Sequence, residues 1–240
     1  FFWMICVECG RPVNDVYKQF GGKGNIRLTR CDYCHELADK YVEHENIIIF
    51  IDLLLLRPQV YRHLLFNRTE YFEIGISSAY FKLLTIFIFF EAYIRWMDLK
   101  EDGIYREDVY WYAAIILTVS VELIVYIIGI SLAVRFYFGG IQYAIVKYNY
   151  LIMAIILSNF AKPFLLLTMI WKYGFNFNQL TNSFILASNS VAVKVFLHTS
   201  ALNSFGIIGA GFVMKSLFQW GISRHFLNLC YESLWVLLSI

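Results

Sequence analysis

The chain begins polar, turns apolar at Ile47, and from there alternates long hydrophobic stretches with short charged breaks. Residues 74–97, 109–134, 148–173 and 201–220 each reach the roughly 20 residues that a helix needs to cross a bilayer. A fifth stretch, 226–240, is short. Residues 184–198 are apolar on balance but carry Ser188, Asn189, Ser190 and Lys194, which predicts a shallow or broken helix. None of these stretches has the period-two alternation of a membrane β-strand. The pattern predicts a mainly α, polytopic helical membrane protein with four or five spans.

Residues 47–56 read Ile-Ile-Ile-Phe-Ile-Asp-Leu-Leu-Leu-Leu. Ten residues make only about 15 Å of helix, half the hydrocarbon thickness, so this piece is expected to be interfacial or re-entrant rather than a crossing. A buried helix packed on the N-terminal head is the alternative. Arg57-Pro58 stops the run, and residues 61–67 then alternate basic and apolar side chains as a helix lying in the headgroup plane does. Pro58 becomes the elbow between two shallow pieces.

The polar front carries the sharpest local signal. Cys6-x-x-Cys9 and Cys31-x-x-Cys34 are separated by 21 residues. Two residues between thiolates let a tight turn aim both sulfurs at one ion, and two such turns complete a tetrahedral site. Strand-like residues 13–20 and 25–29, joined by Gly21-Gly22-Lys23-Gly24, predict a β-hairpin between the turns. The expected object is a zinc-ribbon-like head holding structural Zn2+, because four thiolates leave no open coordination position. Disulfides, CxxC redox chemistry and haem attachment at Cys31-Asp32-Tyr33-Cys34-His35 are the competing readings. The predicted organisation is a zinc-binding cytosolic head over 4–44, amphipathic interfacial helices over 45–73 and a multi-span bundle over 74–240.

Composition agrees with the pattern. Of 240 residues, 59% are hydrophobic and only 16% charged, which excludes an ordinary soluble domain. The net charge of +2 hides an asymmetry: the acid-rich front ends near Val134, and beyond it Glu232 is the only acid among seven bases. Lys162 and Lys194 belong to that basic rear and become candidates for lipid phosphate or partner contact, as do Arg62 and His63 in the elbow. Snorkelling to ordinary interfaces is the plainer reading of such bases. Glu122 lies deep in the second span with no base on its own helix, so it needs a partner such as Lys162, a proton or water. Glu91 and Arg95, four apart, are expected to pair with each other. Gly206 with Ala210 and Gly129 with Ala133 have the spacing of close helix packing. Phe1-Phe2-Trp3 is too short for a cleavable signal, Met4 is a candidate start, and Cys230 forms no prenylation box.

Cys6-Val-Glu-Cys-Gly-Arg-Pro-Val, Cys31-Asp-Tyr-Cys, Asp39-Lys-Tyr-Val-Glu, the apolar run with its internal Asp52, and Tyr61-Arg-His-Leu-Leu-Phe-Asn together resemble the Arv homology domain. Glu91-Ala-Tyr-Ile-Arg-Trp extends the match. The resemblance implies an endoplasmic-reticulum membrane protein with a cytosolic zinc head and a role in lipid homeostasis and transport. The lipids implied are sterols, sphingolipids and glycosylphosphatidylinositol (GPI) anchor intermediates. A non-catalytic accessory subunit, docked on the N-acetylglucosaminyltransferase complex that starts GPI synthesis, is the alternative. Catalysis is not expected: no Gly-rich phosphate loop, HExxH or GxSxG occurs. Nucleic-acid binding is not expected either, because acids offset the bases of the head.

Overall fold

The computed structural model describes residues 4–20, 26–68, 76–101, 109–138, 145–163 and 177–238. The chain is mainly helical behind a small β head, and it divides into two compact units. One comprises Phe1–Phe87 and Tyr143–Ser204, the other Ile88–Gln142 and Phe205–Ile240. This division crosses the boundaries expected from the sequence, since the head, the elbow and the middle helices share a unit.

In the first unit, β1 (Met4–Ile5) pairs antiparallel with β2 (Pro12–Val13), and β3 (Tyr17–Gln19) with β4 (Ile26–Leu28). The second pair is the predicted hairpin; the first folds around the leading CxxC turn. A 3-10 turn, Lys40–Val42, leads to α1 (Asn46–Leu54) and α2 (Pro58–Arg62), followed by one π-helical turn, His63–Asn67. The break between α1 and α2 has a visible cause. Leu56 adopts a left-handed φ of 53°, the Arg57 N–H reaches back to the Asp52 carbonyl, and Pro58 opens α2 at its first turn. Asn46–Leu54 is thus a short helix of nine residues, and Pro58 is the elbow expected.

Helices α5 (Ile145–Ser158) and α6 (Phe177–Leu197) pack together behind the elbow. Val60, Tyr61 and Leu65 of the elbow are buried with Tyr150, Met153 and Ile156 of α5 and Ala192 and Val195 of α6 in one core. Residues 61–67 thus pack both faces against this chain. Their apolar side is consumed by this core, and their polar side faces the head. Residues 184–198, expected as a shallow or broken helix, lie in an unbroken α6 as far as Leu197. Ser188 and Asn189 do not interrupt it because they are buried and paired, and Lys194 points outward. Ser188 shares a 2.7 Å hydrogen bond with the Tyr61 hydroxyl, and the Ser158 hydroxyl donates to Asn189 Oδ1.

The remaining helices are α3 (Ser78–Glu101), α4 (Val109–Tyr137) and α7 (Ala201–Leu238). Among the described residues three helical stretches are long and apolar enough to cross a membrane: Trp111–Tyr137, Leu180–Leu197 and Ala201–Gly221. Four or five were expected. The difference arises in α3, where Lys82, Glu91, Arg95, Asp98 and Lys100 dilute the apolar run, and in α5, where Tyr148–Ala161 is short. The continuation of the expected third span to residue 173 lies outside the described residues, and the expected fifth piece continues α7 as far as Leu238.

In the second unit α4 and α7 approach closely, through Gly129 and Gly211 rather than Gly206. A Cβ on Gly211 would lie 2.5 Å from Ile130 Cγ1, and one on Gly129 3.0 Å from the Gly211 Cα, whereas Gly206 has nothing within 4 Å. Gly211→Ala should therefore lower the thermal midpoint in detergent, by the roughly 1–3 kcal/mol that overpacking costs. Gly206→Ala should leave that midpoint unchanged or raise it, and equal effects of the two would contradict the close crossing.

Candidate metal centre and the elbow that holds it

Two turns of the same construction meet in the head. In the first, the Cys6 N–H donates to the Arg11 carbonyl and the Gly10 N–H to the Cys6 carbonyl; in the second, Cys31 donates to Glu36 and His35 to Cys31. The residue after each second cysteine is left-handed, Gly10 at φ 76° and His35 at φ 62°. Glycine takes that conformation freely, whereas a histidine holds it at some cost. An isolated bridge, Arg30 with Leu37, flanks the second turn as the β1–β2 pair flanks the first. Each turn aims two backbone-held sulfurs the same way.

The four Sγ atoms all lie within 4.8 Å of one another, with Cys6–Cys34 at 3.7 Å and Cys9–Cys31 at 3.8 Å. Bonds of about 2.3 Å around a tetrahedral ion place sulfurs roughly 3.8 Å apart. The four predicted ligands are thus together, at a spacing that fits a metal ion. The thiols are not equivalent. Burial pushes Cys6 up to about 12, while at Cys31 burial is outweighed by the backbone N–H groups of Cys34 and Tyr33 and the thiol falls to about 7. Holding an ion requires Cys6 to lose its proton, so retention must strengthen with rising pH and fail as the pH drops.

The elbow grips the head through its polar side. Arg62 Nη1 donates to the carbonyls of Val7 and Glu8, the two residues between the first pair of cysteines, at 2.6 and 2.8 Å. Asn67 pairs with the Ile5 backbone in both directions, accepting from its N–H and donating to its carbonyl at 2.9 Å each. The Asn67 amide also donates to Asp39 Oδ2 at 2.7 Å, as does His63 Nδ1 at the same distance. Asp39 is fully buried and accepts a third hydrogen bond from the Tyr41 N–H. Within the π turn His63–Asn67, the two end residues meet the head while Leu65 stays in the core. Three outer contacts surround the grip. Glu8 meets Lys40 and Gln59 at 3.0 Å each, and the Tyr41 hydroxyl donates to Asp52 at 2.7 Å.

Arg62 and His63, expected to meet a headgroup or a partner, make these contacts within the chain. Lys194 is exposed near the end of α6, and Lys162 follows the 3-10 turn Asn159–Ala161 that ends α5. In the second unit the partner of Glu122 is Arg95, which grips it with two hydrogen bonds of 2.6 and 2.8 Å. Gln219 adds a third at 2.8 Å, and Lys215 stands 3.9 Å away. The expected Glu91–Arg95 pair is present but longer, at 3.9 Å. Sequence reasoning assigned no role to Asp39 or Asn67. Their signal was a polar residue on the buried side of each motif, invisible until the two motifs meet.

Metal content gives the check. Protein purified without chelator should carry one ion per chain at neutral pH, lose it progressively on acidification, and lose it outright in Cys31→Ser. Because binding energy of a four-thiolate site is on the order of 10 kcal/mol, that variant should also expose the head to protease. A metal-free wild-type chain whose head resists protease would overturn the assignment.

A family model described as the Arv1-like family matches residues 5–193. Among curated proteins, the chain is similar to a Dictyostelium discoideum protein named protein arv1 homolog, 52% identical over 90% of this chain and 94% of the relative. It is also similar to Arabidopsis thaliana protein ARV 1, 31% identical over 81% of this chain and 79% of the relative. Human protein ARV1 is 28% identical over 88% of this chain and 79% of the relative. No solved structure matches. The match runs from the first cysteine turn through the elbow to α6, the same residues that build the metal centre and its support, and the chain belongs to the Arv1-like family.

Proposed function

We propose that this chain is an endoplasmic-reticulum membrane protein that mediates lipid homeostasis and transport without catalysing a covalent step. The lipids are sterols, sphingolipids or GPI-anchor intermediates. The head carries structural Zn2+ and faces the cytosol, where thiols stay reduced. Four sulfur donors at tetrahedral spacing suit zinc and leave it no position for a substrate.

One observation carries the lipid reading. A cleft of about 450 Å³ opens between the π turn, the start of α3 and α5, lined by Leu64, Ala79, Leu83 and Leu157 with Arg68, Ser77 and Tyr80. That volume is in the range of small-molecule sites, which are mostly apolar with a few polar groups to fix orientation. A lining that combines leucines with a guanidinium and a serine hydroxyl suits an amphiphile, whose polar head would meet Arg68. Exposed Lys194 offers a further basic contact to a headgroup phosphate.

Photo-crosslinkable sterol and glycolipid probes in native membranes provide the test. At least one should label the wild-type chain within the cleft, and Leu83→Trp, which fills it, should reduce labelling severalfold while metal content stays at one per chain. If neither probe labels the chain while glycosyltransferase subunits remain bound through detergent, direct lipid handling fails and the accessory-subunit role replaces it.

A further inference from the structure

Helix α1 is built inside out. Its single charged residue, Asp52, is turned inward and 7% exposed, held by the Tyr41 hydroxyl at 2.7 Å and by Arg57 at 3.3 Å. Its large apolar residues are turned outward: Ile47 is 63% exposed, Ile51 49% and Phe50 43%, with Leu55 beyond the helix at 59%. Only Ile49 and Leu53 of the run are buried in the core. A segment facing water shows the opposite order, polar outside and apolar inside. A segment facing hydrocarbon must satisfy its polar groups internally and can leave its apolar ones out.

The surroundings choose the occupant. Phe50 packs edge-on against Phe160, which meets Phe184 of α6 in the same way. Phe184 lies in Leu180–Leu197, a stretch long and apolar enough to cross a bilayer. Through the buried ring of Phe160, the outward-facing Phe50 of α1 is tied to a candidate span. Arg57, half exposed, stands at the elbow where a guanidinium can reach headgroups while its stem stays among lipid tails.

We propose that α1 is a foot of the cysteine head, with the face of Ile47, Phe50 and Ile51 immersed in the hydrocarbon of the bilayer. Because Tyr41 of the head holds Asp52 of the foot, and Arg62 and Asn67 hold the head to the elbow, the foot sets the position of the metal centre at the membrane. The foot is independent of which lipid the cleft takes.

A genetically encoded diazirine residue at Ile51 tests this in the full chain, reconstituted in phosphatidylcholine vesicles that contain no sterol. Illumination followed by mass spectrometry should find phospholipid adducts at position 51, severalfold above those at an identically labelled Lys18 on the exposed β3. Ile47 on the same face serves as a second site if the change at Ile51 lowers metal content. Adducts with water at both foot positions would overturn the proposal, and so would crosslinks to a second protein in native membranes, which would make the face a protein-docking surface. Since the vesicles lack the proposed transported sterol, loss of these adducts would speak against the foot alone.

Discussion

Asp39 is a carboxylate with no exposure to water, and a buried charge is tolerated only when its oxygens are filled with donors. Its three donors come from two places, the Tyr41 N–H in the head and the His63 and Asn67 side chains in the elbow. Separating head from elbow would strip two of them and leave the charge without its desolvation compensated. The rest of the first unit follows. The head need not build a core of its own, because the cysteine turns fix it from one side and Asp39 fixes it from the other. The elbow stays helical through an irregular π turn, from which His63 and Asn67 both reach Asp39.

The same economy of polar groups runs through the helices. Tyr61 with Ser188, and Ser158 with Asn189, place hydroxyl and amide pairs where α2, α5 and α6 meet. In the second unit Glu122 is treated as Asp39 is, buried and filled by Arg95 and Gln219. In each case a buried polar side chain is paired inside the fold, and α1 goes further, with Asp52 turned in and most of its apolar residues turned out.

Much of this was legible in the sequence, for reasons that are local. The CxxC spacing dictates both cysteine turns, the glycine-linked strands dictate the β3–β4 hairpin, and Pro58 sets the elbow by opening α2, because each depends on residues close in the chain. What was not legible depends on pairs far apart. Arg62 and His63 look like surface bases until the carbonyls of Val7 and Glu8 and the Asp39 carboxylate are brought to them. Ser188 and Asn189 look like helix interruptions until Tyr61 and Ser158 meet them. Glu122 looked toward Lys162, but its partner was Arg95, whose nearer neighbour Glu91 had seemed sufficient. A charge pattern records how many partners exist, not which of them the fold delivers.

The central claim is that head and elbow form one body joined at Asp39. Hydrogen exchange on the full chain in lipid nanodiscs, before and after metal chelation, tests it most directly. Removing the ion should unprotect the amides of Val60–Leu65 in the elbow together with those around Cys6 and Cys31, because local opening follows cooperative units. Loss of protection confined to the cysteine turns, with the elbow amides unchanged, would contradict it.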